Sequence, residues 1–307
     1  MIREALRAVA RNESLGGLIS RAPGASEVVK RVVGGETMDA ALEVATGLAD
    51  LGFWISLERA APGIDSDEAA QRVAEEYAEL ITGVEAAGLV DVCEVTVFPG
   101  ALGLRTEQGA QAARERLGEL ARRAATGRVA LMVGTDPLAD PGLTIGWVEE
   151  LWEAGLPLGL TLAASLRRTE ADCARLADRR IRLVKGAYRG DRATAYSQPI
   201  EVDKAYVRAA KKLLAGGGDA SFATHDARLI EIVESLARRY GRARQTYEFT
   251  FFMGRQEGAQ ERLLGEGERV RIYVPYGPDW FERLVGGLAE QPSSIAAAVR
   301  SLLPGAS

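Results

Sequence analysis

From about residue 50 onward, short apolar runs alternate with longer stretches whose apolar residues recur every three or four positions. The short runs, 52–57, 92–98, 129–133, 158–163, 181–187, 220–224, 245–251 and 270–274, have the length and composition of strands. Between them, 67–87, 106–126, 142–154, 168–177, 202–214, 229–240 and 259–264 read as helices, and 279–289 reads as another after the last run. In 67–87, Ala70, Val73, Tyr77, Ile81 and Val84 fall on one face, as an amphipathic helix requires. Before residue 50 the pattern is helical throughout. Ile2, Leu6 and Val9 share a face, as do the apolar residues of 38–51, with breaks at 12–17 and at Gly34-Gly35. A last helix is predicted over 294–303, with Ser294 as its N-cap.

A strand followed by a helix, repeated eight times, implies parallel strands joined by right-handed crossovers. Eight units over roughly 240 residues suit a closed (βα)8 TIM-type barrel, with N-terminal helices and a C-terminal helix. An open doubly wound sheet is the alternative; it usually has fewer units, and no glycine-rich turn follows the first strand. The expected organisation is a single domain: a helical arm over 1–49, the barrel over 50–291 and the final helix over 292–307. In such a barrel the site lies where the strands end. That directs attention to Glu58, Phe98, 132–135, Ala163, 185–188, 224–226, 251–254 and Tyr273.

Composition narrows the class. Of the 307 residues, 47% are hydrophobic and 26% charged, an ordinary globular balance, and the net charge of −5 argues against nucleic acid as a partner. A single histidine and two cysteines without metal or redox spacing exclude a histidine-rich metal site, so no metal is expected. No run of about 18 apolar residues is present and the N-terminus lacks a signal-peptide core, so the expected place is the cytoplasm.

The chemistry-bearing stretches sit at predicted strand ends. RLVKGAY, 182–188, is an apolar run carrying Arg182 and Lys185 and closed by Gly186. A lysine with a glycine beside it suits an anion, because the charge attracts it and the bare backbone lets it approach. The alternative is a buried strand whose cations snorkel to its ends. Thr224-His225-Asp226 could hold a polar ligand or phosphate, or could be a helix-start turn capped by Asp226. Glu248 could bind a ribose hydroxyl, could pair with a cation of RLVKGAY, or could form a buried Glu–Arg pair inside the barrel. Neither a nucleophile elbow nor a phosphate-binding P-loop is present.

Six segments then fall in a telling order: SLRRTEAD (165–172), RLVKGAYRG (182–190), EVDKAYVR (201–208), FATHD (222–226), YEF (247–249) and RIYVPYGPDWF (271–281). Together they resemble the proline dehydrogenase family, in its short monofunctional bacterial form, over nearly the whole chain. The resemblance implies a distorted (βα)8 barrel that binds FAD and oxidises L-proline to pyrroline-5-carboxylate, as in proline catabolism, by hydride transfer to flavin N5. It implies that Arg182 lies near N5. It also implies that Lys185, Gly186, Ala187, Tyr188, Thr224, His225 and Glu248 contact the cofactor, and that Tyr273 stands on the substrate side.

Other positions depart from the family's pattern. Its substrate-facing lysine is Phe98 here, its active-site aspartate Met132 and a glutamate Gly134. Its flavin-binding glutamine is Ala163, the neighbouring tyrosine Ser165, and its substrate-clamping arginine pair Gly286-Gly287. Each charge-assisted bond to a carboxylate is worth roughly 1.5–3 kcal/mol. Losing the pair therefore weakens proline binding by more than about a hundredfold. Three readings follow: a flavoenzyme acting on an uncharged or larger amine through an unknown electron acceptor, with weak FAD binding; a non-catalytic binding or regulatory homologue; and an ordinary proline dehydrogenase.

Overall fold

The computed structural model describes residues 32–61, 64–136, 139–186, 192–278 and 280. Its centre is a closed barrel of eight parallel strands in chain order, β1 (Trp54–Arg59), β2 (Cys93–Val97), β3 (Ala130–Val133), β4 (Leu158–Ala163), β5 (Ile181–Val184), β6 (Ala220–Ala223), β7 (Tyr247–Phe252) and β8 (Val270–Tyr276). The predicted (βα)8 architecture is therefore the observed one. β8 closes the ring on β1, with Trp54 opposite Arg271 and Ser56 opposite Tyr273.

A helix before β1 and seven between the strands surround the barrel: α1 (Met38–Asp50), α2 (Asp67–Ala86), α3 (Gly109–Thr126), α4 (Pro141–Glu153), α5 (Thr169–Arg175), α6 (Pro199–Ala215), α7 (Ala227–Arg239) and α8 (Glu257–Gly265). The face read from sequence in α2 is buried as expected, and the Tyr77 hydroxyl donates to the Arg59 carbonyl at 2.9 Å. Side-chain caps begin several helices: Thr37 at α1, Ser66 at α2, Asp140 at α4 and Asp226 at α7, each accepting a backbone N–H of the first turn. Alternate strand residues divide between two environments. Leu57, Val95, Leu131, Leu160, Leu183, Phe222, Phe249 and Ile272 belong to the apolar core. Their neighbours Ser56, Glu94, Thr161, Arg182, Ser221, Glu248 and Arg271 are also buried, and they bond to one another or stand side by side in register. The barrel thus has an apolar outer shell and a polar interior.

Three details differ from the sequence reading. The fifth strand ends at Val184 rather than 187, because Gly186 turns the chain out at φ +75°. The eighth runs on to Tyr276 through Pro275, which lacks a donor and so ended the predicted strand, yet whose carbonyl accepts the Gly34 N–H at 2.9 Å. Finally, α1 packs on both β1 and β8. It covers the seam where the barrel closes, so this part of the predicted N-terminal arm belongs to the barrel wall. Helices predicted before residue 32 and over 294–303, and 279–289 apart from Trp280, lie outside the described residues.

Candidate active site

The polar interior is organised by charge. Glu94 on β2 takes Arg182 with one carboxylate oxygen and Arg180 with the other, the latter at 2.6 Å. Glu248 on β7 holds Arg271 in a two-pronged pair at 2.8 and 2.9 Å, with Arg269 at 3.3 Å and Arg180 at 3.5 Å. Asp219, just before β6, bridges Arg180 and Arg269. Burial opposes the charge on Glu248, but Arg271, Arg180 and Arg269 outweigh it and hold its carboxyl well below the usual range. Burial, and then repulsion from Arg271, lowers Arg182 to about 10, so it remains a cation at neutral pH. Of the readings left open for Glu248, the structure shows the buried Glu–Arg pair, and its partners are Arg271, Arg269 and Arg180 rather than a cation of 182–188.

Above this network, at the strand C-termini, most of the residues singled out from sequence come together. The Arg182 guanidinium lies 5.8 Å from the Tyr273 ring centroid, and its Nη1 donates to Thr96 at 3.3 Å. The Tyr273 hydroxyl donates to Glu58 at 2.7 Å. The Tyr273 ring meets Phe252 edge to face at 5.0 Å, and Phe252, 48% exposed, stacks on His225 at 5.5 Å. His225 Nε2 accepts the Phe252 backbone N–H at 3.0 Å. Burial, with Arg255 and Lys185 nearby, lowers this histidine to about 4. Its ring is therefore neutral, with the proton on Nδ1.

Lys185 reaches Asp203 of α6 at 2.5 Å and Asp226 at 3.6 Å. Thr224 accepts the Asp226 N–H at 3.2 Å, and Asp226 accepts the Arg228 N–H at 3.1 Å. The helix-start turn read as one possibility for 224–226 is thus present, and it leaves His225 at the mouth. Ala187 and Tyr188 lie outside the described residues, as do Gly286 and Gly287.

The described positions read from sequence as departures, Phe98, Met132, Gly134, Ala163 and Ser165, are tightly filled. Phe98 packs so closely on Gly134 that a Cβ there would come within 2.5 Å of the ring. Met132 lies over Gly159 in the same way, and Gly186 leaves no room for a Cβ beside Ala163 and Ser165. The hydroxyls of Thr161 and Ser165 are buried without a hydrogen-bond partner. Ser165 faces the stretch where Gly186 brings the backbone close, and Thr161 stands in register beside Arg182, so each offers a polar group to a ligand.

Sequence reasoning missed Glu94, Asp203 and Asp219. Glu94 carried a usable signal, since it is a lone charge on a short strand at the alternating position that points away from the helices. Asp203 lies in the quoted segment 201–208 but nothing there marked it as the partner of Lys185, and Asp219 carried no signal, because Arg180 and Arg269 reach it only once the strands stand side by side. The cysteines, Cys93 and Cys173, are buried, and burial pushes the Cys93 thiol up to about 12. Among the described residues no cluster of histidine, cysteine and acidic side chains is suited to a metal ion, and no helix is long and apolar enough to cross a membrane.

A closed (βα)8 barrel with a charged interior and an aromatic, cation-bearing mouth places the chain in the TIM-barrel class, whose sites lie at the strand C-termini. Within that class, the proline dehydrogenase family profile matches residues 41–280, and the chain belongs to this family. It is 28% identical over 282 residues to proline dehydrogenase of Deinococcus radiodurans, covering 91% of each chain. It is 26% identical over 281 residues to proline dehydrogenase 2 of Bacillus subtilis, again covering 91% of each. Among solved structures, proline utilization A from Bdellovibrio bacteriovorus, inactivated by N-propargylglycine, superposes with a TM-score of 0.78 at 20% identity. That alignment covers 95% of this chain and 34% of the longer one, so the chain spans about a third of that protein, and the likeness bears on fold.

Proposed function

We propose that this protein is a flavin-dependent amine oxidoreductase whose pocket favours an uncharged amine over free L-proline. The observation that carries the reading is the mouth itself. Arg182, Tyr273, His225 and Lys185 gather there, while Phe98 fills the space over Gly134 where the family pattern has charged side chains.

The residues present fit FAD. Lys185 and Arg255 flank a neutral His225 whose Nδ1–H remains to donate, a set suited to a diphosphate. Gly186 permits close backbone approach beside the unpartnered Ser165 hydroxyl, and Arg182 supplies the cation at the ring end. Bound there, FAD supplies the hydride acceptor. The chain's own residues bind and orient: Tyr273 and Phe252 offer aromatic faces to the substrate side, and Glu58 fixes the Tyr273 hydroxyl.

A zwitterionic substrate is the poorer fit. Burying a carboxylate requires a cation. In this reading Arg182 serves the flavin ring and Lys185 the diphosphate, each while also paired with carboxylates, Glu94 for the first and Asp203 and Asp226 for the second, so neither is left for a substrate carboxylate. Phe98, half-buried, adds apolar surface, and Met132 is buried where a charged side chain would need a partner. A second reading, ordinary oxidation of L-proline, is favoured by the names of the relatives matched over most of the chain. Purified protein reconstituted with FAD and assayed with L-proline and an artificial electron acceptor separates the two. Turnover near the enzyme median of roughly 10 per second would establish the second reading. Turnover at least a hundredfold lower, with flavin bound, is the expected result. A protein that takes up no flavin would point instead to a binding or regulatory role.

A further inference from the structure

We propose that Glu94 is a positioning residue that sets both the direction and the effective charge of Arg182; the proposal rests on the reading that Arg182 faces a bound flavin. Glu94 is fully buried, and both its oxygens are in use. One holds Arg182, and this is the ion pair through which the mouth arginine meets the interior network. The other holds Arg180 at 2.6 Å, with Arg271 at 3.8 Å. Across the site, Thr96 and the Tyr273 face confine the same guanidinium from two further sides. Arg182 Nε has no partner. The side chain is therefore held at its tip and not along its stem, and its aim depends on the carboxylate. The whole cluster contains four guanidinium groups, Arg180, Arg182, Arg269 and Arg271, against three carboxylates, Glu94, Asp219 and Glu248. One positive charge is left over in a buried setting, where charge interactions are strong. Because Glu94 is shared, Arg182 is only partly neutralised, and the degree of neutralisation depends on Arg180.

This arrangement yields paired expectations of opposite sign. Reducing a flavin adds negative charge to the ring, so a less compensated Arg182 favours the reduced form. Glu94→Gln keeps the side chain's shape and removes its charge. The reduction equilibrium of bound FAD should shift at least tenfold towards the reduced form, about 30 mV for a two-electron couple. Arg180→Gln leaves Glu94 to Arg182 alone and should shift the equilibrium the opposite way. Glu248→Gln removes the same charge from the network at a carboxylate that acts on Arg182 through space but is paired with Arg271, Arg269 and Arg180 instead, so its shift should be clearly smaller than that of Glu94→Gln. Spectroelectrochemical titration of the four FAD-loaded proteins reads all of this. Equal shifts for Glu94→Gln and Glu248→Gln, or an unchanged potential in Glu94→Gln, would overturn the proposal. If the chain takes up no flavin, the flavin reading fails, and the positioning claim is decided separately in crystals of flavin-free Glu94→Asp. The shortened carboxylate should draw the Arg182 guanidinium away from the Tyr273 ring, and a guanidinium unmoved from that ring would overturn it.

Discussion

Single residues carry the sharpest constraints at the mouth. Gly186 is left-handed, and any Cβ there would lie 2.5 Å from the Ala163 Cβ. Gly186→Ala combines a left-handed penalty of roughly 1–2 kcal/mol with an overpacking cost of about 1–3 kcal/mol. Urea denaturation should show a loss within the sum of those ranges, and a loss below about 0.5 kcal/mol would mean that the backbone relaxes freely there. His225 gives a second prediction. Its folded pKa of about 4 lies below the ordinary histidine value of about 6.5, so between those pH values the unfolded chain holds the extra proton. The stability that depends on the neutral ring is present above pH 6.5 and drains away as the pH falls towards 4, by at most about 1.4 kcal/mol per unit. His225→Gln should flatten that part of the stability–pH curve, and an unchanged slope would show that the ring titrates normally. The placement of RLVKGAY and THD at the mouth was legible because charge, glycine and aromatic residues stand together at predicted strand ends. The ties of Arg182 to Glu94, and of Lys185 to Asp203, were not. The first joins residues 88 positions apart, and the second crosses from a strand end to the following helix.

At the level of elements, the strands do two jobs at once. Leu57, Val95, Leu183 and Phe249 join the core that packs beneath the helices, while Glu94, Arg182, Glu248 and Arg271 link β2, β5, β7 and β8 through the middle. Breaking a buried pair by removing one partner costs about 3–5 kcal/mol. Glu248→Ala leaves Arg271 facing an empty site with Arg269 and Arg180 nearby, so denaturation should show a loss in that range. A loss below about 1 kcal/mol would show that water or neighbouring groups take over the role of the carboxylate. The periodicity of the chain revealed the strands and helices to within a few residues because each helix has one apolar face and each strand is short. It did not reveal the place of α1. A helix that precedes the first strand has the same pattern whether it lies apart from a barrel or closes it. Only the contacts of α1 with both β1 and β8, and the bond from Gly34 to the Pro275 carbonyl, decide the matter.

For the molecule as a whole, family membership is shown, and the altered mouth is the proposal built on it. The barrel, the family match over 41–280 and the gathering of Arg182, Tyr273, His225 and Lys185 support flavin chemistry. Phe98 against Gly134, the buried Met132 and, in the sequence, the glycines at 286 and 287 are the starting points for proposing a substrate without a free carboxylate. The most direct test is anaerobic reduction of the FAD-loaded protein, followed by loss of flavin absorbance, with L-proline and L-prolinamide compared at equal concentration. The account predicts that the amide reduces the flavin at least tenfold faster. Faster reduction by the free acid would contradict it.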